Sequence, residues 1–282
     1  MKLGLALSGG GIRGIAHAGV LKALEDNGIK VDVIGGTSSG SMIAMLYASG
    51  YSPSHIYRLF KKYSKDIAKV NTKPIIRSYL LNKTITLKGL KTGNSLEKIF
   101  NEVINKQGIY KMEDIKMPVV IPTVDLMNCK EYIFTNNPPE KKEKYITDIT
   151  VGKAVRASSS FTAVFSPCEY KEHAFIDGGA LDNVPVEEVK KQGVDVVIGV
   201  KFNSDKITKD SNIMDMTMKA IDIMGEKISE ENLNNADFIL NVYTDKTGLL
   251  DVDKLDSCYK YVYNSVIENL EEIKKIIKKA NE

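Results

Sequence analysis

The chain has 282 residues, of which 43% are hydrophobic and 27% are charged, and its formal net charge is +3. This composition is typical of a globular protein and excludes fibrous and wholly disordered chains. So small a net charge gives no support for nucleic-acid binding, which calls for a strongly basic face.

The cysteines and the apolar segments indicate a cytoplasmic protein. Cys129, Cys168 and Cys258 are an odd, scattered set without C-x-x-C spacing, so neither a disulfide framework nor a zinc site is predicted. Glycines and Arg13 interrupt the apolar run at the N-terminus, which therefore does not resemble a signal peptide. No stretch of about 18 apolar residues predicts a transmembrane helix.

The first 50 residues predict alternating strands and helices. Leu3–Leu7 is a short apolar run typical of a buried strand, and apolar residues then recur at helical spacing from Ile15 to Leu24. Residues 31–34 predict the next strand, and residues 41–50 a helix that ends at Gly50. A β-α-β unit of this kind is typical of a parallel sheet.

The rest of the chain continues this alternation without an internal repeat or a low-complexity linker. Further helices are predicted at 52–65, 96–104, 151–160, 185–193 and 258–280, and further strands at 117–126, 130–135, 173–177, 194–202 and 236–243. We therefore predict one α/β domain over residues 1–282.

The glycine loop, residues 9–14, follows the first strand and has two interpretations. Gly9, Gly11 and Gly14 match G-x-G-x-x-G, the dinucleotide-binding pattern, but the acidic residue that this fold needs after the second strand is absent. Asp32 lies at the start of that strand instead. Alternatively, the backbone N–H groups of Gly9, Gly10 and Gly11 form an oxyanion hole. A tight turn without a chemical role is the third alternative.

The second loop carries a candidate nucleophile. Residues 36–40 spell G-x-S-x-G between a strand and a helix, the setting of a nucleophilic serine. Gly36 and Gly40 permit a tight turn that leaves Ser38 exposed. Because both loops follow carboxyl ends of parallel strands, we expect them to open on the same edge of the sheet.

None of the three histidines is well placed to serve as the base for Ser38. His17 falls within the first helix, where packing is the simpler interpretation, and His55 lies at a polar helix start. His173 precedes Asp177 on one strand, but four residues of strand span about 13 Å. The two side chains could meet only if the strand bends.

Asp177 is the better candidate for the base. It ends an apolar run and is followed by Gly178 and Gly179, which turn the chain sharply. A carboxylate can act as a base if burial raises its pKa from the usual value of about 3.9. An ordinary Asp-Gly turn is the alternative.

Three segments, GGGIRG, GTSSG and DGGALDNVP, resemble in this order the patatin-like phospholipase family. The resemblance implies a three-layer α/β/α fold with a mostly parallel sheet, and a Ser-Asp dyad that works without histidine, metal or cofactor. It assigns the nucleophile to Ser38 and the dyad aspartate to Asp177. It also assigns the oxyanion loop to residues 9–11, with Arg13 beside it.

The resemblance extends from Leu3 to about Phe202 and departs from the family pattern at one place. Within RASSSFTAVFSP, Thr162 stands where the family has proline, which puts the local loop shape in question. Residues 204–282 match less clearly.

Residues 61–91 contain nine basic residues and one acidic residue, interleaved with apolar ones. Such a mixture suits contact with an anionic membrane surface, or a lid over an acyl groove, and we assign that role to residues 61–115. An ordinary solvated helical face is the alternative.

We therefore expect a serine hydrolase of lipid esters that binds no nucleic acid and lies in the cytoplasm or at the membrane periphery. A dinucleotide-binding protein and a catalytically silent lipid-binding module are the alternatives.

Overall fold

The computed structural model describes residues 1–68, 89, 91–139, 143–162, 164–203, 213–243 and 252–282. Its strands are β1 (Leu3–Leu7), β2 (Val33–Gly36), β3 (Val119–Asp125), β4 (Lys130–Thr135), β5 (Tyr145–Ile146), β6 (Cys168–Tyr170), β7 (His173–Asp177), β8 (Val196–Phe202) and β9 (Phe238–Val242). Its α-helices are α1 (Ile15–Asp26), α2 (Ser39–Ala48), α3 (Pro53–Ala68), α4 (Asn94–Ile104), α5 (Val151–Ser158), α6 (Val186–Lys190), α7 (Ile213–Asn234), α8 (Leu255–Glu268) and α9 (Leu270–Lys279).

These strands form one sheet in the order β5-β4-β3-β2-β1-β8-β9. The ladders among β3, β2, β1, β8 and β9 are all parallel, whereas β3 pairs with β4 and β7 in antiparallel fashion. Because β1, β2 and β3 are parallel, their carboxyl ends lie at one edge, and the loops after β1 and β2 open there together. The predicted mostly parallel sheet is confirmed.

The sheet separates two apolar cores, as its alternating side chains require. On β1, Leu5 and Leu7 belong to the larger core, together with α1 and α2. Ala6 points to the other face and packs in the smaller core with Val186 of α6 and Leu233 of α7. Helices therefore cover both faces, which confirms the three-layer α/β/α arrangement.

Strands β2 and β7 both pair with the same edge of β3, one after the other, so that β7 approaches the end of β2. Gly35 of β2 pairs with Val120, and Asp177 of β7 pairs with Thr123 only three residues further along β3. The two strands run in opposite directions, so their carboxyl ends point toward each other. This arrangement brings the residues after Gly36 next to Asp177.

Two features of the C-terminal part differ from the sequence prediction. The predicted helix over 258–280 is two helices, α8 and α9, which are divided at Asn269. The sequence analysis also missed α7. In the sequence, the apolar residues of this segment do not follow one helical face closely. Among the described residues, no helix is long and apolar enough to cross a membrane.

Candidate active site

Ser38 lies at the tip of a tight turn between β2 and α2, which we call the nucleophile turn (residues 36–40). Its backbone has φ 52° and ψ −121°, a conformation that residues with a side chain rarely adopt. The flanking glycines make this turn possible: a Cβ on Gly40 would lie 2.5 Å from the Leu7 oxygen, and one on Gly36 would lie 2.4 Å from Gly40. Ser38 remains half-buried and accessible.

Asp177 ends β7 in a buried position beside Ser38. Its Oδ1 accepts a hydrogen bond from the Gly179 N–H at 2.9 Å, and its buried Oδ2 has no hydrogen-bond partner in the described part of the chain. Burial raises the pKa of Asp177 from 3.8 to about 6, against the opposing effects of the nearby Ser38 hydroxyl and of the hydrogen bond from the Gly179 N–H. A carboxylate with this pKa is ionised at neutral pH and can still accept a proton readily.

The glycine loop lies directly against the nucleophile turn. A Cβ on Gly9 would lie 3.0 Å from the Ser38 Cβ and 2.8 Å from Asn183 Oδ1, so no side chain fits there. The Gly9 N–H already donates to Asn183, to Oδ1 at 3.0 Å and to the backbone oxygen at 3.3 Å. No hydrogen bond to a described residue occupies the N–H groups of Gly10 and Gly11.

Two side chains of the α1 region hold the carbonyl groups of the glycine loop. His17 Nε2 donates to the Ser8 oxygen at 2.8 Å, and Arg13 Nε donates to the Gly10 oxygen at 3.1 Å. Because the C=O and N–H of a trans peptide point in opposite directions, the Gly11 N–H is turned away from Arg13. The Gly11 N–H therefore points to the side of the loop opposite Arg13.

His17 acts as a hydrogen-bond donor within the core. Its ring is fully buried and packs 4.6 Å from the Phe202 ring. Burial lowers its pKa to about 4, although the Ser8 hydrogen bond opposes this, so the imidazole is neutral at physiological pH. The packing interpretation of His17 therefore agrees with the structure.

The other two histidines also lie apart from Ser38. His173 Nδ1 is 2.9 Å from Asp125 Oδ2, and the His173 ring stacks on Phe175 at the opposite end of β7 from Asp177. His55 is exposed and contacts the Tyr51 ring.

The segment after Asp177 is connected to the nucleophile turn by a contact that the sequence analysis did not identify. Thr37 Oγ1 donates to the Asp182 backbone oxygen at 2.8 Å, and both residues are buried. Burial raises the pKa of the Asp182 carboxyl to about 8, so this side chain is largely neutral at pH 7. The available signal in the sequence was an acid that directly follows two apolar residues, Ala180 and Leu181.

A run of serines, Ser158–Ser160, begins at the last residue of α5 and contacts the backbones of both candidate catalytic residues. Ser158 Oγ accepts from the Ser38 N–H at 3.1 Å, and Ser159 Oγ donates to the Ser38 oxygen at 3.2 Å. The Ser160 oxygen accepts from the Asp177 N–H at 3.1 Å. We call this run the serine triplet; the sequence analysis noted it but gave it no role. Thr162, where proline was expected, lies exposed in the turn that follows.

Two apolar surfaces lie near the nucleophile turn. A groove between α2, α3 and α4 is lined by apolar side chains and begins at Met42, one helical turn after Ser38. On the other side, α7 packs against the Asp177 turn, since a Cβ on Gly225 would lie 3.1 Å from the Gly179 oxygen. The outward side of α7 exposes Met216, Ile223, Met224 and Ile228, each by more than half.

Asp32 is not placed to bind a dinucleotide at the glycine loop. Asp32 precedes β2 and accepts from the Leu3 N–H at 3.0 Å, so it lies at the sheet edge opposite the glycine loop. Within the described ranges, no three His, Cys, Asp or Glu side chains cluster as metal ligands would.

Comparison with known proteins identifies a family match over most of the chain. A model described as patatin-like phospholipase matches residues 5–190. A protein named lysophospholipase NTE1 from Candida albicans is 36% identical over 202 residues, which is 72% of this chain and 13% of that protein. The corresponding protein of Yarrowia lipolytica is 34% identical over 214 residues, which is 76% of this chain and 14% of that protein. This chain thus spans only a small part of these relatives.

Among solved structures, human GIVD cytosolic phospholipase A2 in complex with methyl gamma-linolenyl fluorophosphonate superimposes with a TM-score of 0.52. The two proteins share 10% identity, and the match covers 99% of this chain and 58% of the human chain. At this identity the likeness concerns the fold.

Proposed function

The chain belongs to the patatin-like phospholipase family, and from this we propose that it is a serine hydrolase of the fatty acyl ester bonds of phospholipids or lysophospholipids. The observation that carries the proposal is the pairing of Ser38, on a strained turn, with a buried Asp177 whose pKa is about 6. The relatives named lysophospholipase support the substrate class.

In the proposed reaction, Asp177 first removes the hydroxyl proton of Ser38 as Oγ attacks the ester carbonyl carbon. The tetrahedral intermediate then collapses, and protonated Asp177 gives its proton to the departing alcohol. An acyl-Ser38 remains. A water molecule, deprotonated by Asp177, attacks this ester, and Ser38 regains its proton as the fatty acid leaves.

The oxyanion of each intermediate would be held by the glycine loop. The expected site is residues 9–11, and the N–H groups of Gly10 and Gly11 support it best because the Gly9 N–H is bonded to Asn183. Arg13 and His17 would support the site from behind by fixing the loop carbonyls. Removal of one oxyanion donor typically costs about 2.7–4 kcal/mol of transition-state stabilisation.

The alternatives have less support. A dinucleotide-binding protein would need an acid after β2, and Asp32 lies at the other edge of the sheet. A catalytically silent lipid-binding module does not call for a strained serine beside an aspartate of raised pKa.

We further propose that the protein acts at the periphery of an anionic membrane. The exposed apolar side of α7, beside the Asp177 turn, supports this. Most of the basic segment 61–91, assigned to a lid or interfacial role within 61–115, lies outside the described residues.

The assignment of residues 204–282 to the same domain also remains a proposal. It is supported by the parallel pairing of β9 with β8 and by α8, whose Tyr259 oxygen would lie 2.6 Å from a Cβ on Gly19 of α1.

The test is hydrolysis of p-nitrophenyl butyrate and of a micellar lysophospholipid by the purified protein and by Ser38→Ala. Ser49→Ala is the matched control, because Ser49 is a buried serine directly after the last residue of α2, and its hydroxyl bonds only to the Met45 oxygen among the described residues. We expect turnover by wild type and Ser49→Ala and none by Ser38→Ala. Equal turnover by all three, or by none on either substrate, would exclude a Ser38 acyl enzyme.

A further inference from the structure

The strained backbone of Ser38 requires an external support. A side-chain-bearing residue at φ 52° and ψ −121° is strained, and such a conformation persists only where neighbouring contacts enforce it. The Ser38 carbonyl has several donors, including the Ser41 hydroxyl at 2.5 Å and the Ser41 N–H at 2.9 Å. These bonds form part of the start of α2 and do not fix the peptide that precedes Ser38.

The peptide before Ser38 is fixed by Ser158. The Ser38 N–H donates to Ser158 Oγ at 3.1 Å and makes no other hydrogen bond to a described residue. Ser158 is fully buried at the end of α5, so its hydroxyl cannot be replaced by bulk solvent. Rotation of the Thr37–Ser38 peptide out of its strained position would leave the part-buried Ser38 N–H without this acceptor, which is costly.

The same segment also fixes the position of the base. Two residues after Ser158, the Ser160 oxygen accepts from the Asp177 N–H at 3.1 Å. One short, buried piece of chain thus forms hydrogen bonds with the backbones of both candidate catalytic residues. These two residues are more than 100 positions apart in the sequence. Ser159 adds a bond to the Ser38 oxygen, where other donors are already present.

We propose that Ser158 is a positioning residue for the reaction, which fixes the strained Ser38 backbone so that its Oγ stays aligned with Asp177. This inference rests on the proposed function of Ser38 as nucleophile. Ser158 acts through the Ser38 N–H and does not contact the reacting atoms. Because misplacement of a reacting group by about 1 Å can cost on the order of a hundredfold in rate, loss of this bond should be visible in kcat.

The first experiment measures kcat and KM of Ser158→Ala with p-nitrophenyl butyrate. We expect kcat to fall by about tenfold or more while KM stays within about twofold, because substrate binding does not involve Ser158. Ser159→Ala should have a smaller effect, since the Ser38 oxygen keeps its other donors. Ser49→Ala again serves as the control for loss of a buried serine hydroxyl, and it should match wild type.

The second experiment measures hydrogen exchange of the Ser38 amide, which does not depend on turnover. Ser158→Ala should speed exchange at this amide by about tenfold or more, and Ser49→Ala should leave it unchanged. Unchanged protection in Ser158→Ala would overturn the proposal, as would faster exchange with an unchanged kcat. If wild type hydrolyses no ester, the proposed function fails, and the exchange rate alone then decides whether Ser158 fixes the turn.

Discussion

Replacement of Asp177 by asparagine should inactivate the protein and yet stabilise it at neutral pH. Asn has nearly the same shape and keeps an oxygen for the Gly179 N–H, but it removes a charge from a buried site. In wild type, burial raises the pKa of Asp177 from 3.8 to about 6. Above pH 6, this rise in pKa means that ionised Asp177 lowers the free energy of unfolding by about 3 kcal/mol.

The sign of this effect follows from proton binding. Between pH 3.8 and 6 the folded protein holds the Asp177 proton more tightly than the unfolded chain does, so wild type loses stability as pH rises through this window. The gain from Asp177→Asn should therefore be about 3 kcal/mol at pH 7.5 and about half that at pH 5. Urea unfolding followed by circular dichroism at the two pH values measures it.

Asp125→Asn provides a control of opposite sign on the neighbouring strand. Burial works against ionisation of Asp125, but hydrogen bonds from His173, Ala174, Met127 and Asn128 outweigh it and hold the pKa of Asp125 below its usual value. This replacement should destabilise the protein at pH 7.5. If Asp177→Asn gave no gain at pH 7.5, or a gain that did not shrink toward pH 5, the account of Asp177 as a destabilised buried base would be wrong.

Three further predictions follow from the site. The kcat/KM for p-nitrophenyl butyrate should rise with pH through about pH 6, as Asp177 loses its proton, and a profile flat from pH 5 to 8 would contradict its role as base. Gly40→Ala should cost several kcal/mol of stability, measured by urea unfolding, because its Cβ would lie 2.5 Å from the Leu7 oxygen; Gly199→Ala, with 3.5 Å to its nearest neighbour, should be tolerated. The combined change Ile223→Ser and Met224→Ser should weaken sedimentation with anionic vesicles while butyrate hydrolysis stays unchanged, and unaltered vesicle binding would exclude this side of α7 as the contact.

Sequence patterns were sufficient to predict the fold class because local signals agree with the topology. Short apolar runs gave β1, β3 and β8, and alternation with helices gave the parallel sheet. The two loops at the carboxyl edge followed from the parallel arrangement alone. The position of β7 could not be predicted, because only the antiparallel pairing with β3 places Asp177 opposite Thr123 and so near the end of β2.

The supporting contacts of the site were beyond sequence reasoning for a related reason. Ser158 and Ser38 are 120 residues apart, and a serine run at a helix end is more often a simple cap. Likewise, the bond from His17 to the Ser8 oxygen depends on the angle at which α1 leaves the glycine loop. Such contacts are set by tertiary geometry, which periodicity and spacing do not specify.

A Ser-Asp pair places a particular electrostatic demand on the glycine loop. When histidine is the base, proton transfer creates an imidazolium cation beside the oxyanion, and the two charges stabilise each other. In the reaction proposed here, Asp177 would become neutral when it takes the proton, so the single negative charge would move from Asp177 to the oxyanion without a new cation nearby. The oxyanion would then be stabilised by fixed N–H donors, by the start of α2, and by Arg13 behind the Gly10 carbonyl. The hydrogen bonds from Arg13 and His17 to the loop carbonyls are therefore consistent with the proposed site, in which no histidine acts as base.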